Sequence, residues 1–248
     1  QSLYTMIRWW ADRGIGGFRL DVVDLFGKIP DQKILENGPK LHEYIREMRR
    51  EAFTAPDLVT VGEAWSATPA IARQYSAPDG SELSMVFQFE HLVLDQQPGG
   101  EKWNLAPLPL GQLKQVICRW QQELEGTGWN SLFLENHDLP RIVSRWGDDG
   151  KYREPSAKML ASLLFGLQGT PYIYQGQELG LENVQFTDIS QVDDISTKDE
   201  YQVALNAGCT KEEALKAINR YSRDHARLPY PWNDGPQPAV EVPDGGFV

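Results

Sequence analysis

Arg19 and Asp21 stand two apart in the stretch Gly17-Phe18-Arg19-Leu20-Asp21, which follows a Gly14-Ile15-Gly16 break. Residues two apart on a strand share a face, so guanidinium and carboxylate point the same way. A cation beside a carboxylate keeps it ionised, the state a nucleophile needs. Taken alone, the pair reads equally well as a structural ion pair at a strand end. Two later stretches add to it. Glu63 closes the apolar run 58–62 and is followed by Ala64-Trp65; apolar neighbours raise a carboxyl pKa and suit a general acid. His137-Asp138 follows the apolar run 131–134. Cleaving a glycosidic bond takes one ionised carboxylate and one protonated carboxyl on either side of the anomeric carbon. Asp21 fits the first role and Glu63 the second, while Asp138 with His137 suits holding sugar hydroxyls. Trp65, Phe89 and Trp103 offer flat faces of the kind pyranose rings pack on.

These residues need elements to carry them. Helical spacing covers 3–13 and 38–53, the latter with Leu41, Tyr44, Ile45 and Met48 on one stripe. Further helices are expected at 67–75, 113–124, 156–167 and 211–221. Strands are expected at 17–21, 58–62, 85–89, 131–134 and 171–174. Helix and strand alternate, so the sheet should be parallel, and acids at the ends of separate parallel strands converge in space. Residues 22–30 and 182–200 read as loop. Glu90, His91 and Glu178 read as structural or as supports behind the site's residues, Trp9, Trp10 and Trp120 as packing residues, and His42 and His225 as structural or surface.

The 248 residues are 41% apolar and 24% charged, an ordinary globular composition. A net charge of −11 argues against nucleic acid as a partner. Cys118 and Cys209 lie far apart and point to a reducing, cytoplasmic setting rather than a disulfide framework. No apolar run approaches the length of a bilayer span, so no membrane partner is expected. Oligomeric state is not legible.

GFRLD, VGEAW and FLENHD, in that order and spacing, resemble three of the four short regions that mark the α-amylase family of glycoside hydrolases. GPKLHEYIREM, EKWNLAPLPL, NHDLPRIVSRWGDDG, GTPYIYQGQELG, VQFTDISQVDDIS and SRDHARLPYPWND resemble the branch of oligo-1,6-glucosidases, dextran glucosidases and trehalose-6-phosphate hydrolases. The resemblance implies a retaining double displacement with Asp21 as nucleophile, Glu63 as general acid and then base, and Asp138 as transition-state stabiliser. It implies that Arg19 and His137 bind the glucose in the cleaved site, that Arg223 grips the non-reducing end, and that Lys102 reaches the leaving sugar. Val22, next to the nucleophile, goes with α-1,6 cleavage in this branch. LPYPW departs from the usual TPMQW, Gln177 replaces an acid in QGEE, and Ser196 stands where relatives often carry an acid. The fine specificity rests on such positions.

The resemblance also implies an α/β fold, the C-terminal portion (about strands 4 to 8) of a TIM (β/α)8 barrel, with residues 1–227 as partial catalytic domain. Residues 228–248 would be a tail leading towards a C-terminal β-domain. The first strands and any structural calcium loop would lie upstream, and no metal or organic cofactor would take part in the chemistry. A fragment of an unclosed barrel should fold poorly by itself and be inactive. The rival enzymes are a trehalose-6-phosphate hydrolase and a sucrose isomerase or glucosyltransferase. A non-catalytic amylase-like partner of a membrane transporter is the rival from another class, and such proteins tend to lose the acids retained here.

Overall fold

The computed structural model describes residues 2–55, 57–97 and 106–232. Lys102, Trp103 and the tail beyond 232 lie outside the described residues. In chain order the elements are α1 (Ser2–Ala11), β1 (Gly17–Leu20), α2 (Leu41–Glu51), β2 (Val59–Glu63), α3 (Pro69–Tyr75), β3 (Met85–Phe87), α4 (Leu110–Leu124), β4 (Ser131–Leu132), α5 (Ile142–Trp146), α6 (Arg153–Phe165), β5 (Thr170–Pro171), α7 (Ile195–Asn206) and α8 (Lys211–Tyr221). By its internal contacts the chain divides into two compact units. One takes in the described residues of Gln1–Leu94, Pro109–Leu132 and Leu167–Tyr172, the other those of Asp95–Leu108, Phe133–Gly166 and Ile173–Val248.

The first unit holds every strand found among the described residues. β1 pairs with β2, β2 with β3 and β4 with β5, all parallel. A parallel bridge from Val86 to Asn130 links β3 to the residue before β4. The strands therefore lie side by side in chain order, joined by crossovers long enough for a helix, as in an arc of a βα barrel. Leu41, Ile45 and Met48 bury one face of α2 in the same core as Leu20, Val23 and Val86. Each wholly buried aliphatic chain of this kind contributes about 1.5–3 kcal/mol. Trp120 and Leu124 bring α4 to the same core. Trp120 also donates its indole N–H to Glu90 at 2.8 Å and is buried, a packing residue as expected.

Several expectations need correction. Tyr44 is exposed, because it sits about 60° around the helix from the Leu41–Ile45–Met48 line. Trp9 and Trp10 are not core: they are 45% and 44% exposed and pack edge to face on each other. The inward line of α1 is Tyr4, Ile7 and Ala11, and both tryptophans fall off it. The third, fourth and fifth strands are shorter than their apolar runs. The 3-10 turn Glu90–Leu92, for instance, begins soon after β3, where Gln88 Oε1 accepts the Glu90 N–H at 2.8 Å. Residues 22–30 and 182–200 are not all loop. The first range contains the 3-10 turn Val23–Leu25, and the second contains another, Ile189–Gln191, and the start of α7. Of α7 only Thr197 and Ala204 are buried, so it carries no apolar stripe to read. Its N-cap is its signature: Asp194 accepts the Thr197 N–H at 2.8 Å.

The second unit packs Phe186, Val192 and Ile218 into its own small core. His225 is fully buried there, stacked on Phe186 and donating its Nε2–H to the Ile218 carbonyl at 3.2 Å. Burial pushes its pKa down to about 4. The folded value lies below the ordinary one near 6.5, so the unfolded chain takes up a proton that the folded chain refuses. Stability is therefore complete above pH 6.5 and falls as pH drops towards 4, by about 3 kcal/mol from this one group. Urea midpoints between pH 7 and pH 4 should fall less steeply in a His225→Gln variant. Equal slopes in the two proteins would refute the assignment. Among the described residues no helix is long and apolar enough to cross a membrane.

Candidate active site

β1 and β2 run in register, Arg19 beside Val61 and Leu20 beside Gly62. Asp21 is the first residue past β1 and Glu63 the last of β2, so both sit at carboxyl ends. Arg19 joins them. Its Nη1 donates to Asp21 Oδ1 at 2.7 Å and its Nη2 makes a close contact with Glu63 Oε2. The two acids differ in setting: the Asp21 side chain is 73% exposed, that of Glu63 only 5%. The second oxygen of Glu63 accepts the indole N–H of Trp65 at 2.8 Å. Trp65 in turn stacks flat on Phe89, with centroids 3.7 Å apart and planes within 9°. Phe89 is buried, so it backs the Trp65 ring instead of offering a second open face. Trp65, Phe89, Val93 and Arg119 help line a cleft of about 500 Å³.

The turn after β1 is held from two sides. Val22 takes φ 39° and ψ 50°, the left-handed region that β-branched residues avoid. Such backbone costs about 1–3 kcal/mol and persists only where surroundings over-determine it. Here Val23 is wholly buried next door, and Asp24 Oδ2 accepts both the N–H and the hydroxyl of Ser66, at 2.9 and 2.7 Å. That clamp ties the turn after Asp21 to the segment after Glu63. Gly62 allows the close approach: a Cβ there would lie 2.7 Å from Val23 Cγ1.

The second unit carries its own charged cluster. Beyond β4, Asn136 Oδ1 accepts the Asp138 N–H at 2.8 Å, an Asx turn that presents the carboxylate. His137 Nε2 lies 3.3 Å from Asp138 Oδ2. Two guanidiniums converge on Asp138 Oδ1: Arg223 Nη1 at 3.0 Å and Arg227 Nη2 at 2.7 Å. Arg227 Nε also donates to the His137 carbonyl at 2.9 Å. Arg223 reaches back through Nη2 to Asp194, whose hydrogen bond holds the guanidinium pKa above its usual value. Below this cluster, Arg141 is buried and anchors the loop. Its Nη1 donates to Glu135 Oε2 at 3.1 Å and to the Gln175 carbonyl at 2.7 Å. Burial raises the Glu135 pKa despite that partner.

Thus Arg19, Asp21 and Glu63 form one group, with Val22 strained beside them, and His137, Asp138 and Arg223 form another. The expected Lys102 is outside the described residues. Arg227 and Asp194 were not singled out from sequence. Arg227 stands inside the quoted SRDHAR stretch, and Asp194 opens Asp-x-x-Thr, a helix-start signal. Among the described residues no three His, Cys, Asp or Glu side chains group as a metal site.

Residues 1–239 match the family described as alpha amylase, catalytic domain. The chain is 51% identical over 235 residues to the glucan 1,6-alpha-glucosidase of Streptococcus dysgalactiae subsp. equisimilis, covering 94% of this chain and 44% of that protein. It is 45% identical over 250 residues to the oligo-1,6-glucosidase of Parageobacillus thermoglucosidasius, again across 94% of this chain and 44% of the relative. Among solved structures it resembles Bacillus licheniformis trehalose-6-phosphate hydrolase, with a TM-score of 0.87 and 45% identity over 94% of this chain and 43% of that one. The chain therefore spans less than half the length of the relatives it matches.

Proposed function

The chain belongs to the alpha-amylase catalytic-domain family, and from that premise we propose that it carries the catalytic carboxyl groups of a retaining, exo-acting α-glucosidase that hydrolyses α-1,6 bonds. In this reading residues 1–227 supply about strands 4 to 8 of a (β/α)8 barrel, and 228–248 lead out of it. The observation that carries the chemistry is the Arg19 fork bridging Asp21 and Glu63. Retaining pairs stand about 5 Å apart, whereas inverting pairs leave room for a water between them. One guanidinium that reaches both carboxyl groups supports the close, retaining class.

Asp21, ionised beside Arg19, attacks the anomeric carbon as Glu63 protonates the departing glycosidic oxygen. The bond to the leaving sugar breaks and a β-glucosyl ester on Asp21 forms. Glu63, now a carboxylate, takes a proton from water, whose oxygen attacks the same carbon and frees Asp21. Asp138 binds hydroxyls of the distorted glucose and offsets the positive charge of the transition state. Arg223 and His137 bind the same ring, and Lys102 the leaving sugar. No metal enters the bond-breaking steps of this scheme.

The α-1,6 preference is supported by the names of the 1,6-glucosidases the chain resembles and by Val22 beside Asp21. The similarity to a trehalose-6-phosphate hydrolase supports a second reading, with the same carboxyl groups and a phosphate site on the leaving sugar. Comparing kcat/KM of the full-length protein on isomaltose, maltose and trehalose-6-phosphate separates them. Isomaltose should lead by roughly tenfold or more. A lead for the phosphorylated disaccharide would move the substrate to the second reading. A folded protein that cleaves none of the three would favour a transferase or a non-catalytic partner.

A further inference from the structure

Asp194 lies behind the Asp138 cluster, its side chain only 3% exposed, and both of its oxygens are in use. Oδ2 accepts the backbone N–H and the hydroxyl of Thr197, at 2.8 and 2.7 Å, and so caps α7. Oδ1 faces two guanidiniums, Arg223 Nη2 in close contact and Arg227 Nη1 at 3.7 Å. The backbone beneath it is fixed as well. Asp224 Oδ2 accepts the N–H groups of Asp193 and Asp194, at 2.7 and 3.1 Å. Burial opposes the charge on Asp194, yet the bonds from Arg223 and Thr197 outweigh it and hold its pKa below the usual carboxylate range. A permanent, buried anion on a helix N-cap therefore stands behind both arginines.

Each of those arginines has its other end on Asp138 Oδ1. A carboxylate that must bind sugar hydroxyls cannot remain saturated by two cations. The cations can release it only if another anion keeps them paired, since charge-assisted bonds are costly to leave unmade. Asp194 is that anion. We propose that Asp194 is a positioning residue: it anchors Arg223 and Arg227 from behind, so that Asp138 is aimed by them yet free to exchange them for substrate. The proposal rests on the reading of Asp138 as a catalytic carboxylate.

The test uses the full-length protein and p-nitrophenyl α-glucoside, whose leaving group is indifferent to the leaving-sugar site. Asp194→Asn and Asp194→Ser both remove the anion, and both residues are good N-caps, so α7 keeps its start. Thr210→Ala is the stability control, since it removes the hydroxyl that caps the start of α8, the end of that helix away from Arg223. Partial unfolding lowers kcat in proportion to the folded fraction and leaves KM unchanged. Loss of positioning raises KM as well, here by roughly tenfold to a hundredfold. A raised KM in either Asp194 variant, an unchanged KM in Thr210→Ala and a dead Asp138→Asn together support the proposal. Folded Asp194 variants with KM and kcat within about twofold of wild type, beside a dead Asp138→Asn, overturn it alone. An Asp138→Asn variant as active as wild type removes the reading of the site and the proposal with it.

Discussion

An Asp21→Asn variant of the full-length protein is expected to lose turnover of isomaltose by on the order of 10⁴-fold. An amide is nearly the same size as a carboxylate and can still accept the Arg19 bond, but it forms no ester with the anomeric carbon. Binding should persist, so KM moves little while kcat collapses. Glu63→Gln should cost about 10²–10⁴-fold, and in a pattern that identifies its role. Nitrophenolate departs without a proton, so formation of the ester from an aryl glucoside should be nearly spared while isomaltose cleavage is lost. Azide needs no general base, so it should restore turnover of the aryl glucoside and yield the α-glucosyl azide, because it displaces Asp21 from a β-linked ester. A β-azide from the Glu63 variant, or an Asp21→Asn protein with more than about a hundredth of wild-type turnover, would undo the assignment.

The largest stability effect is expected at Asp95. It grips the buried Arg145 with both oxygens, Nε to Oδ2 at 2.8 Å and Nη2 to Oδ1 at 2.7 Å. The Tyr221 ring lies 5.1 Å from the guanidinium carbon, and its hydroxyl, with a pKa pushed up to about 12 by burial, donates to the Asp95 carbonyl at 3.1 Å. Asp95→Ala strands a cation in this setting, and breaking a buried pair from one side costs about 3–5 kcal/mol. Removing both charges, as in Asp95→Leu with Arg145→Met, should recover most of that loss, since apolar replacement of a whole buried pair is often neutral. Urea midpoints of the two variants decide it. A single variant within about 1 kcal/mol of wild type would mean the pair contributes little.

What the sequence made legible follows from how local each signal is. The alternation of elements, the parallel sheet and the carboxyl-end positions of Asp21 and Glu63 were readable, because period, breakers and strand-end acids are written within a few residues. The pairing of Arg19 with Asp21 was readable for the same reason. Its second bond, to Glu63, was not, since it depends on the register of β1 against β2. Arg227 and Asp194 escaped because their importance lies in contacts made across the chain, Arg227 with Asp138 and Asp194 with Arg223. The start of α7 was written in its cap and not in an apolar stripe, and a reading weighted towards stripes passes over it. Trp9 and Trp10 depart the other way: large aromatic rings suggest packing, although helical geometry turns both away from the line of Ile7.

The strand order of the first unit bears on how such a chain is made. Each strand of the arc pairs with the one before it: β2 with β1, β3 with β2, the residue before β4 with β3, and β5 with β4. A polypeptide leaving the ribosome from its amino end thus meets, at each of these strands after β1, a partner already synthesised. Growth can proceed by accretion at one edge, with only one crossover loop to close at a time. Among the described strands only β1 waits for a partner still to be translated, and that partner is the next strand made.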